Sequence, residues 1–166
     1  GEKMPNIRGL LKKYSKIEDE RFFGDIITNQ EYKYAFNKKA DVIIDVGALA
    51  GEFGVYMYKK AKIIYALEPY SKAFKELTDN IRDFNLNKIK PFRLALSNYN
   101  GEGSLVISGS RGGNKLTASE GSDKTERVQV KTLAQFIKDE NINIVDILKI
   151  DIENTEYEVF TADDFK

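Results

Sequence analysis

After residue 40, short apolar runs alternate with amphipathic segments. The runs "DVIIDVG", "KIIYALEP" and "IKPFRLALS" are short and mostly apolar, as buried parallel strands are. Between them, residues 52–61 and 71–85 have the length and spacing of helices, and Ser71 is the expected N-cap of the second one. This order of strand, helix, strand, helix and strand predicts an α/β fold with a mostly parallel sheet and flanking helices.

The pattern of the later chain is more varied. "NGEGSLVISG" predicts a turn that leads into a strand, whereas the Gly- and Ser-rich stretch "SGSRGGNKLTASEGSDKTE" predicts a mobile loop. "RVQVKT" alternates apolar and polar residues and predicts a strand with one exposed face. "TLAQFIKDENI" then predicts a helix and "VDILKIDIE" a further strand, so the α/β pattern resumes after one irregular excursion.

The first forty residues form a different segment. Leu10, Leu11, Tyr14 and Ile17 fall on one helical face, and Gly24 is expected to divide the region into two pieces. We expect residues 1–40 to be helical and to pack on the core, and residues 41–166 to form a single α/β domain. A lid over a ligand is the alternative role for the first segment.

Composition and charge exclude several classes of protein. The chain has 166 residues, of which 42% are hydrophobic, which is enough for one domain with a core. Lys+Arg and Asp+Glu number 26 each, so the overall charge gives no sign of nucleic-acid binding. The lack of Cys and His excludes disulfides, thiol nucleophiles, histidine bases and most zinc sites. No apolar run suits a membrane span or a signal peptide, so we expect a cytoplasmic protein with no membrane partner.

The turn after the first predicted strand is the main candidate for a ligand site. It holds Asp45, Gly47, Ala48, Gly51 and Glu52, at the strand end where open α/β sheets bind ligands. A P-loop would need Lys where Glu52 stands, and a dinucleotide motif would need G-x-G-x-x-G spacing. S-adenosylmethionine fits better than either, because the acids can attract its ammonium and the helix start can take its carboxylate.

A second acid supports the same ligand. Glu68 ends the second predicted strand about twenty residues after the glycine turn, where an acid accepts both ribose hydroxyls of a bound nucleoside. A charge that only stabilises a helix start is the alternative. Phe53, Pro69, Tyr70 and Ser97 lie near these positions in the predicted fold, and we expect them to complete the cofactor pocket; for Phe53 and Tyr70 a place in the core or at the rim is the alternative.

With these residues the chain resembles the FkbM-type methyltransferases. "IIDVGALAGEFG" is similar to their cofactor-binding motif, "IYALEP" to their Glu-Pro strand end, and "DILKIDIENTEYEVF" to their late Lys-Ile-Asp-(Ile/Val)-Glu-Gly-x-Glu motif. The resemblance covers residues 41–160. It implies a class I methyltransferase (Rossmann-like) fold, S-adenosylmethionine as the cofactor, and methyl transfer to a hydroxyl of a sugar, polyketide or other small metabolite.

Two departures from the family pattern affect the substrate side. Asn154 stands where the family usually has Gly, although Asn also tolerates left-handed backbone angles. The chain ends soon after the late motif, so we expect the C-terminal strands to be missing or shortened. The strand "VDILKIDIE" would then lie near a sheet edge, and a second copy of the chain is one partner that would cover it.

The late motif also carries the candidate chemistry. Lys149, Asp151 and Glu153 alternate with apolar residues and therefore share one face of the strand. Our hypothesis is that Asp151 faces the acceptor as a base, that Glu153 and Glu156 bind or orient the substrate, and that Lys149 holds an acid in place. A buried structural ion pair of Lys149, with Glu153 and Glu156 solvated, is the alternative. Paired acids near a strand end are too common to indicate a metal site.

Three functional readings remain open from the sequence. A small-molecule O-methyltransferase is favoured. An RNA or protein methyltransferase is disfavoured by the neutral charge, and a non-catalytic cofactor-binding module is the alternative from another class. The loop at residues 111–125 is either a lid over the substrate or a solvated excursion.

Overall fold

The computed structural model describes residues 3–14, 35, 37–108, 113–117, 124–152 and 155–165. Its strands are β1 (Val42–Val46), β2 (Ile63–Leu67), β3 (Ile89–Phe92), β4 (Leu94–Leu96), β5 (Gly101–Val106), β6 (Lys115–Thr117), β7 (Thr125–Lys131) and β8 (Ile147–Ile150). Its helices are α1 (Ile7–Tyr14), α2 (Glu52–Met57), α3 (Ser71–Phe84), α4 (Leu133–Asp139) and α5 (Glu156–Phe160). This alternation confirms the α/β class.

The central sheet is parallel, as predicted. Its strand order is β3-β2-β1-β8, and every neighbouring pair runs parallel. β1 is buried on both faces: Ile43 packs in one apolar cluster with residues of α2 and α3, and Ile44 in a second cluster with residues of α4. β8 lies at one edge of this sheet in the described part of the chain. The carboxyl ends of β1, β2 and β8 therefore meet at one edge.

A second sheet corrects two of the predictions. Its order is β4-β7-β5-β6, with β4 parallel to β7 and the other two pairs antiparallel. The run "IKPFRLALS" is two strands in two sheets rather than one, because the chain changes partner at Arg93, whose guanidinium donates to Pro69 O and to Glu126. The predicted mobile loop contains β6, whose Leu116 pairs with Leu105 of β5. A three-residue strand between Gly- and Ser-rich segments is too short to give a pattern of its own.

The start of α3 also differs from the prediction. Ser71 is the first helical residue, Tyr70 is the N-cap, and the cap makes no side-chain hydrogen bond. The amide and hydroxyl of Ser71 instead donate to the Glu126 carboxylate on β7, at 3.0 and 2.7 Å. A carboxylate at a helix start suits the helix dipole, so the second sheet supplies the cap that Ser71 was expected to supply.

The N-terminal helix packs on the parallel-sheet layer. Leu10 is fully buried in the cluster that contains Ile43, and Lys13 Nζ donates to Asn80 Oδ1 of α3 at 2.6 Å. Ile17, Gly24 and the side chains of Leu11 and Tyr14 lie outside the described residues, so the predicted division at residue 40 stays a prediction. None of the described helices is long and apolar enough to cross a membrane.

Candidate functional site

The turn after β1 has a backbone that few residue types tolerate. Gly47 and Gly51 have φ angles of +78° and +101°. A Cβ on Gly47 would lie 2.0 Å from the carbonyl oxygen of Asp151, which follows β8. Leu49 also has a positive φ of +49°, which is uncommon for a bulky side chain and costs roughly 1 kcal/mol or more. Such strain persists only where the surrounding structure holds it in place.

Three side chains and one strand carbonyl hold this turn. The amides of Gly47 and Ala48 donate to Leu67 O at 2.9 and 3.0 Å, and the amide of Leu49 donates to Glu68 Oε2 at 2.9 Å. The side-chain amide of Asn80, on α3, donates through Nδ2 to Ala50 O at 3.0 Å, and Lys149 Nζ, on β8, donates to Gly47 O at 2.9 Å. The turn is therefore fixed by contacts from β2, α3 and β8.

An ion pair lies directly behind the turn. Asp45 and Lys149 are register partners on β1 and β8, and Lys149 Nζ lies 3.0 Å from Asp45 Oδ1. The Asp45 side chain is 0% exposed and that of Lys149 10% exposed. Burial raises the pKa of the Asp45 carboxyl, while the Lys149 ammonium acts in the opposite direction. Asp45 Oδ2 is buried without a hydrogen-bond partner in the described part of the chain.

Glu68 is the buried acid at the end of β2. Its two carboxylate oxygens accept the amides of Leu49 and Tyr70, each at 2.9 Å, and the residue is only 3% exposed. Burial raises the pKa of Glu68, and the two backbone hydrogen bonds lower it in part. Each oxygen of a carboxylate has two lone pairs, so Glu68 can still accept hydrogen bonds from a ligand.

A cleft opens where the two sheets meet. The cleft and its solvent-open mouth together contain about 700 Å³ of empty space, which includes open solvent. The parallel sheet contributes the glycine turn, the end of β2 and the segment after β8, and the second sheet contributes aliphatic side chains of β4, β5 and β6. Residues from the first group include Gly47, Leu49, Glu68, Asp151 and Thr155, and those from the second include Leu94, Leu105 and Leu116.

The structure brings only part of the predicted cofactor set to this cleft. Among the residues predicted for the cofactor, Gly47, Glu68 and Pro69 line it. Seven others are not among its lining residues: Asp45, Ala48, Glu52, Phe53 and Ser97, which are buried, and Gly51 and Tyr70. Phe53 packs in the apolar core, and Glu52 is the buried first residue of α2. The cofactor contacts expected of these seven residues stay predictions.

The residues proposed for catalysis and substrate binding lie in different surroundings. Asp151 is exposed and lines the cleft, whereas Lys149 is turned to Asp45 and is not a lining residue. Glu156 accepts the amide of Ile152 at 3.1 Å, which ties the start of α5 to the end of β8. Glu153 and Asn154 lie outside the described residues, so the roles expected of them stay predictions.

The predicted lid can be placed only in part. Of the loop at residues 111–125, Asn114 and Leu116 line the cleft. Residues 109–112 and 118–123 lie outside the described part of the chain. Closure over a substrate therefore stays a prediction.

Sequence reasoning missed two residues that shape the turn. Leu49 lines the cleft and donates its amide to Glu68, but a leucine between two alanines gives no sequence signal for a positive φ. Asn80 did give a signal: it lies on the apolar face of α3, next in spacing to the buried residues Ala73 and Leu77, and is itself fully buried. A polar residue on such a face needs a buried partner, which here is the Ala50 carbonyl.

The charged residues among the described lining residues of the cleft are acids. Glu68 and Asp151 line it, and none of its lining residues in the described ranges is Lys or Arg. Nor does any group of three or more acids in those ranges form a metal site. The cleft therefore favours a neutral or cationic ligand over a phosphate.

Comparison with known proteins identifies the family. The sequence model of the methyltransferase FkbM domain matches residues 45–166. The chain belongs to this family. The methyltransferase sdnD of Sordaria araneosa is 27% identical over 184 residues, which cover 90% of this chain and 71% of that protein.

A solved FkbM structure agrees in fold. The crystal structure of methyltransferase FkbM from Methylobacillus flagellatus KT superposes with a TM-score of 0.53 at 13% identity. The match covers 90% of this chain but 35% of that one, so this chain spans about a third of that FkbM protein. The class I methyltransferase fold predicted from the motifs is thereby confirmed.

Proposed function

We propose that this FkbM-family chain is an S-adenosylmethionine-dependent methyltransferase that acts on a hydroxyl of a small molecule. One observation carries the proposal: the glycine turn and a buried acid, Glu68, line the same cleft at the carboxyl edge of the parallel sheet. Backbone close to a ligand, next to an acid that accepts hydroxyl hydrogens, suits a nucleoside cofactor. The family membership supports the same class of reaction.

The lining residues fit a cofactor without phosphate. A nucleoside triphosphate or a dinucleotide would bring several negative charges against Glu68 and Asp151, with no described lining cation to oppose them. S-adenosylmethionine instead carries a cationic sulfonium and an ammonium. The backbone of Gly47, where there is no room for a Cβ, and that of Leu49 would lie against this cofactor. Glu68 would accept hydrogen bonds from the ribose hydroxyls.

The residues of the chain would bind, orient and remove a proton. The cofactor supplies a methyl group on a good leaving sulfur. Positioning the acceptor hydroxyl in line with that methyl group provides much of the acceleration in such a transfer. Asp151, which is exposed, lines the cleft and lies one residue beyond β8, would take the hydroxyl proton. The aliphatic side chains Leu94, Leu105 and Leu116 would exclude water from the opposite side.

Titration of S-adenosylhomocysteine into the purified chain by calorimetry tests the proposal. We expect this ligand to bind, and NAD and ATP, used as matched adenosine-containing controls, to bind at least about a hundredfold more weakly, a difference of roughly 2.7 kcal/mol. Equal binding of all three ligands would contradict the cofactor assignment. Absence of any binding would contradict the proposed function for this chain.

Glu68→Gln is expected to weaken S-adenosylhomocysteine binding by about ten- to a hundredfold, the effect of losing one hydrogen bond to a charged group. The amide has one acceptor oxygen for two backbone donors, so the amide of Leu49 or of Tyr70 loses its partner. Burial raises the pKa of Glu68, so this carboxylate becomes protonated at a higher pH than an exposed glutamate does. As the solution is acidified, wild-type affinity should therefore begin to fall above the usual pKa range of glutamate, whereas the variant should not show this fall. Calorimetry across pH measures both.

Glu126→Gln is the matched control for this variant. Glu126 is another acid that accepts a backbone amide, that of Ser71, but its side chain is 20% exposed and it does not line the cleft. We expect this control to bind the ligand as the wild type does. If both variants lose affinity equally, Glu68 has no specific role in the cleft.

A further inference from the structure

Lys149 connects the glycine turn to the strand that carries Asp151. Its Nζ lies 2.9 Å from Gly47 O and 3.0 Å from Asp45 Oδ1, so one ammonium contacts the last part of β1 and the first residue of the turn. The register of β1 and β8 places Lys149 directly beside Asp45. Two residues further along the chain, just beyond the end of β8, comes Asp151, whose amide donates to Val46 O at 3.0 Å.

The position of Lys149 does not fit a residue that touches the reactants. It is not a lining residue of the cleft, and its side chain is 10% exposed. The Nζ also lies 6.0 Å from the centre of the Phe53 ring, within the core. A free ammonium in the cleft would repel a cationic cofactor, whereas here its charge is balanced by Asp45.

Burying the two charges of this ion pair away from water costs free energy, and only a well-fixed geometry offsets that desolvation cost. Removing one partner of a buried ion pair leaves an uncompensated charge, which is far more costly than losing a surface pair. Asp45 is completely buried, so Lys149 is what permits an ionised carboxylate at this position. The same ammonium fixes the Gly47 carbonyl, and with it the orientation of the peptide group that starts the turn.

We propose that Lys149 is a positioning residue that sets the conformation of the glycine turn, through its hydrogen bond to the Gly47 carbonyl and its ion pair with Asp45. The inference rests on the proposed function in one respect, namely that the turn holds the cofactor. In this role Lys149 shapes the site that binds the cofactor and does not contact the reacting atoms. It also makes Asp45 a structural partner of that lysine rather than a ligand of the cofactor.

A pH dependence follows from this arrangement. The charged neighbours of Asp45 are Lys149 on β8, Asp151 just after β8 and Glu68 just after β2, and Lys149 is the cation among them. Without that cation, Asp45 stays protonated to a higher pH, and a protonated Asp45 needs no counter-charge. The defect caused by removing Lys149 should therefore be largest at high pH and should shrink as the pH falls.

Lys149→Met, Asp45→Asn and the double variant test the proposal. For Lys149→Met we expect about ten- to a hundredfold weaker binding of S-adenosylhomocysteine, the effect of losing one charge-assisted hydrogen bond. In the ligand-free protein we expect faster hydrogen exchange of the amides in residues 45–53. The double variant should recover part of the affinity, and its remaining defect should not depend on pH in the way expected for Lys149→Met, because residue 45 then carries no carboxylate.

Lys131→Met is the matched control. Lys131, the last residue of β7, pairs with Asp139 at the end of α4 at 2.6 Å; both side chains are partly exposed, and Lys131 does not line the cleft. We expect wild-type affinity and wild-type exchange in residues 45–53. If Lys149→Met also has wild-type affinity and exchange, or accelerates exchange equally throughout the chain, the positioning role is wrong. If the wild type binds no S-adenosylhomocysteine, the proposed function fails, while the exchange comparison still decides the role of Lys149.

Discussion

Gly47→Ala is expected to lower S-adenosylhomocysteine affinity by at least about a hundredfold, or roughly 2.7 kcal/mol, and to lower the melting temperature by about 10 °C. The new Cβ would lie 2.0 Å from Asp151 O, a backbone atom that cannot rotate away. The turn or the end of β8 must therefore move, and both line the cleft. Calorimetry and thermal unfolding of the same preparation measure the two effects.

Gly101→Ala distinguishes the effect of the steric clash from the effect of a positive φ angle. Gly101 also has a positive φ, +146°, but a Cβ there would meet nothing within 4 Å. We expect this control to lose roughly 1–3 kcal/mol of unfolding free energy, the usual cost of a strained backbone conformation, and to keep wild-type affinity. If Gly47→Ala behaves like Gly101→Ala in both measurements, the close contact between the turn and β8 does not control binding.

The parallel sheet was predictable because its signals are local. The runs of β1, β2 and β8 are short, apolar and bounded by turns, and their order along the chain predicts parallel pairing. The glycine turn was predictable for the same reason, since Gly47 and Gly51 follow a strand and meet a real requirement for positive φ. In these segments the local pattern and the tertiary contacts agree.

The second sheet was only partly predictable because its pairing depends on contacts between distant residues. β4 pairs with β7, more than thirty residues later, in the register Leu94↔Gln129. Nothing in "IKPFRLALS" shows that the chain changes sheets at Arg93, whose bonds reach Pro69 O and Glu126. β6 is defined by its pairing with β5 rather than by its own three residues. As a result, the aliphatic side of the cleft was missing from the predicted site.

The predicted acids show what a sequence motif can and cannot specify. Asp45 and Glu68 follow the same logic in the sequence, as acids at strand ends, yet Glu68 lines the cleft and Asp45 lies behind it against Lys149. The difference is one of side-chain direction. Alternation in the sequence predicted one face for Lys149 and Asp151, but only the register of β8 with β1 shows that Lys149 meets Asp45.

Asp163→Asn provides the reference for a test of Asp151. Asp163 is an exposed aspartate beyond α5 that does not line the cleft, so its replacement changes the net charge by the same amount as Asp151→Asn. We expect wild-type turnover from this control, measured as formation of S-adenosylhomocysteine with an acceptor that the wild type methylates. Both proteins should also keep wild-type affinity for S-adenosylhomocysteine.

Asp151→Asn is expected to lower kcat by about 10²- to 10⁴-fold, the range over which a positioned base contributes to proton transfer. The substitution keeps the size of the side chain and the backbone contacts of residue 151 to Val46 and Gly47, so cofactor binding should persist. Loss of kcat with unchanged affinity for S-adenosylhomocysteine assigns the carboxylate to the acceptor. Unchanged kcat would show that the acceptor proton leaves by another route, and a parallel loss of affinity would place Asp151 with Gly47 and Glu68, the residues that we propose for cofactor binding.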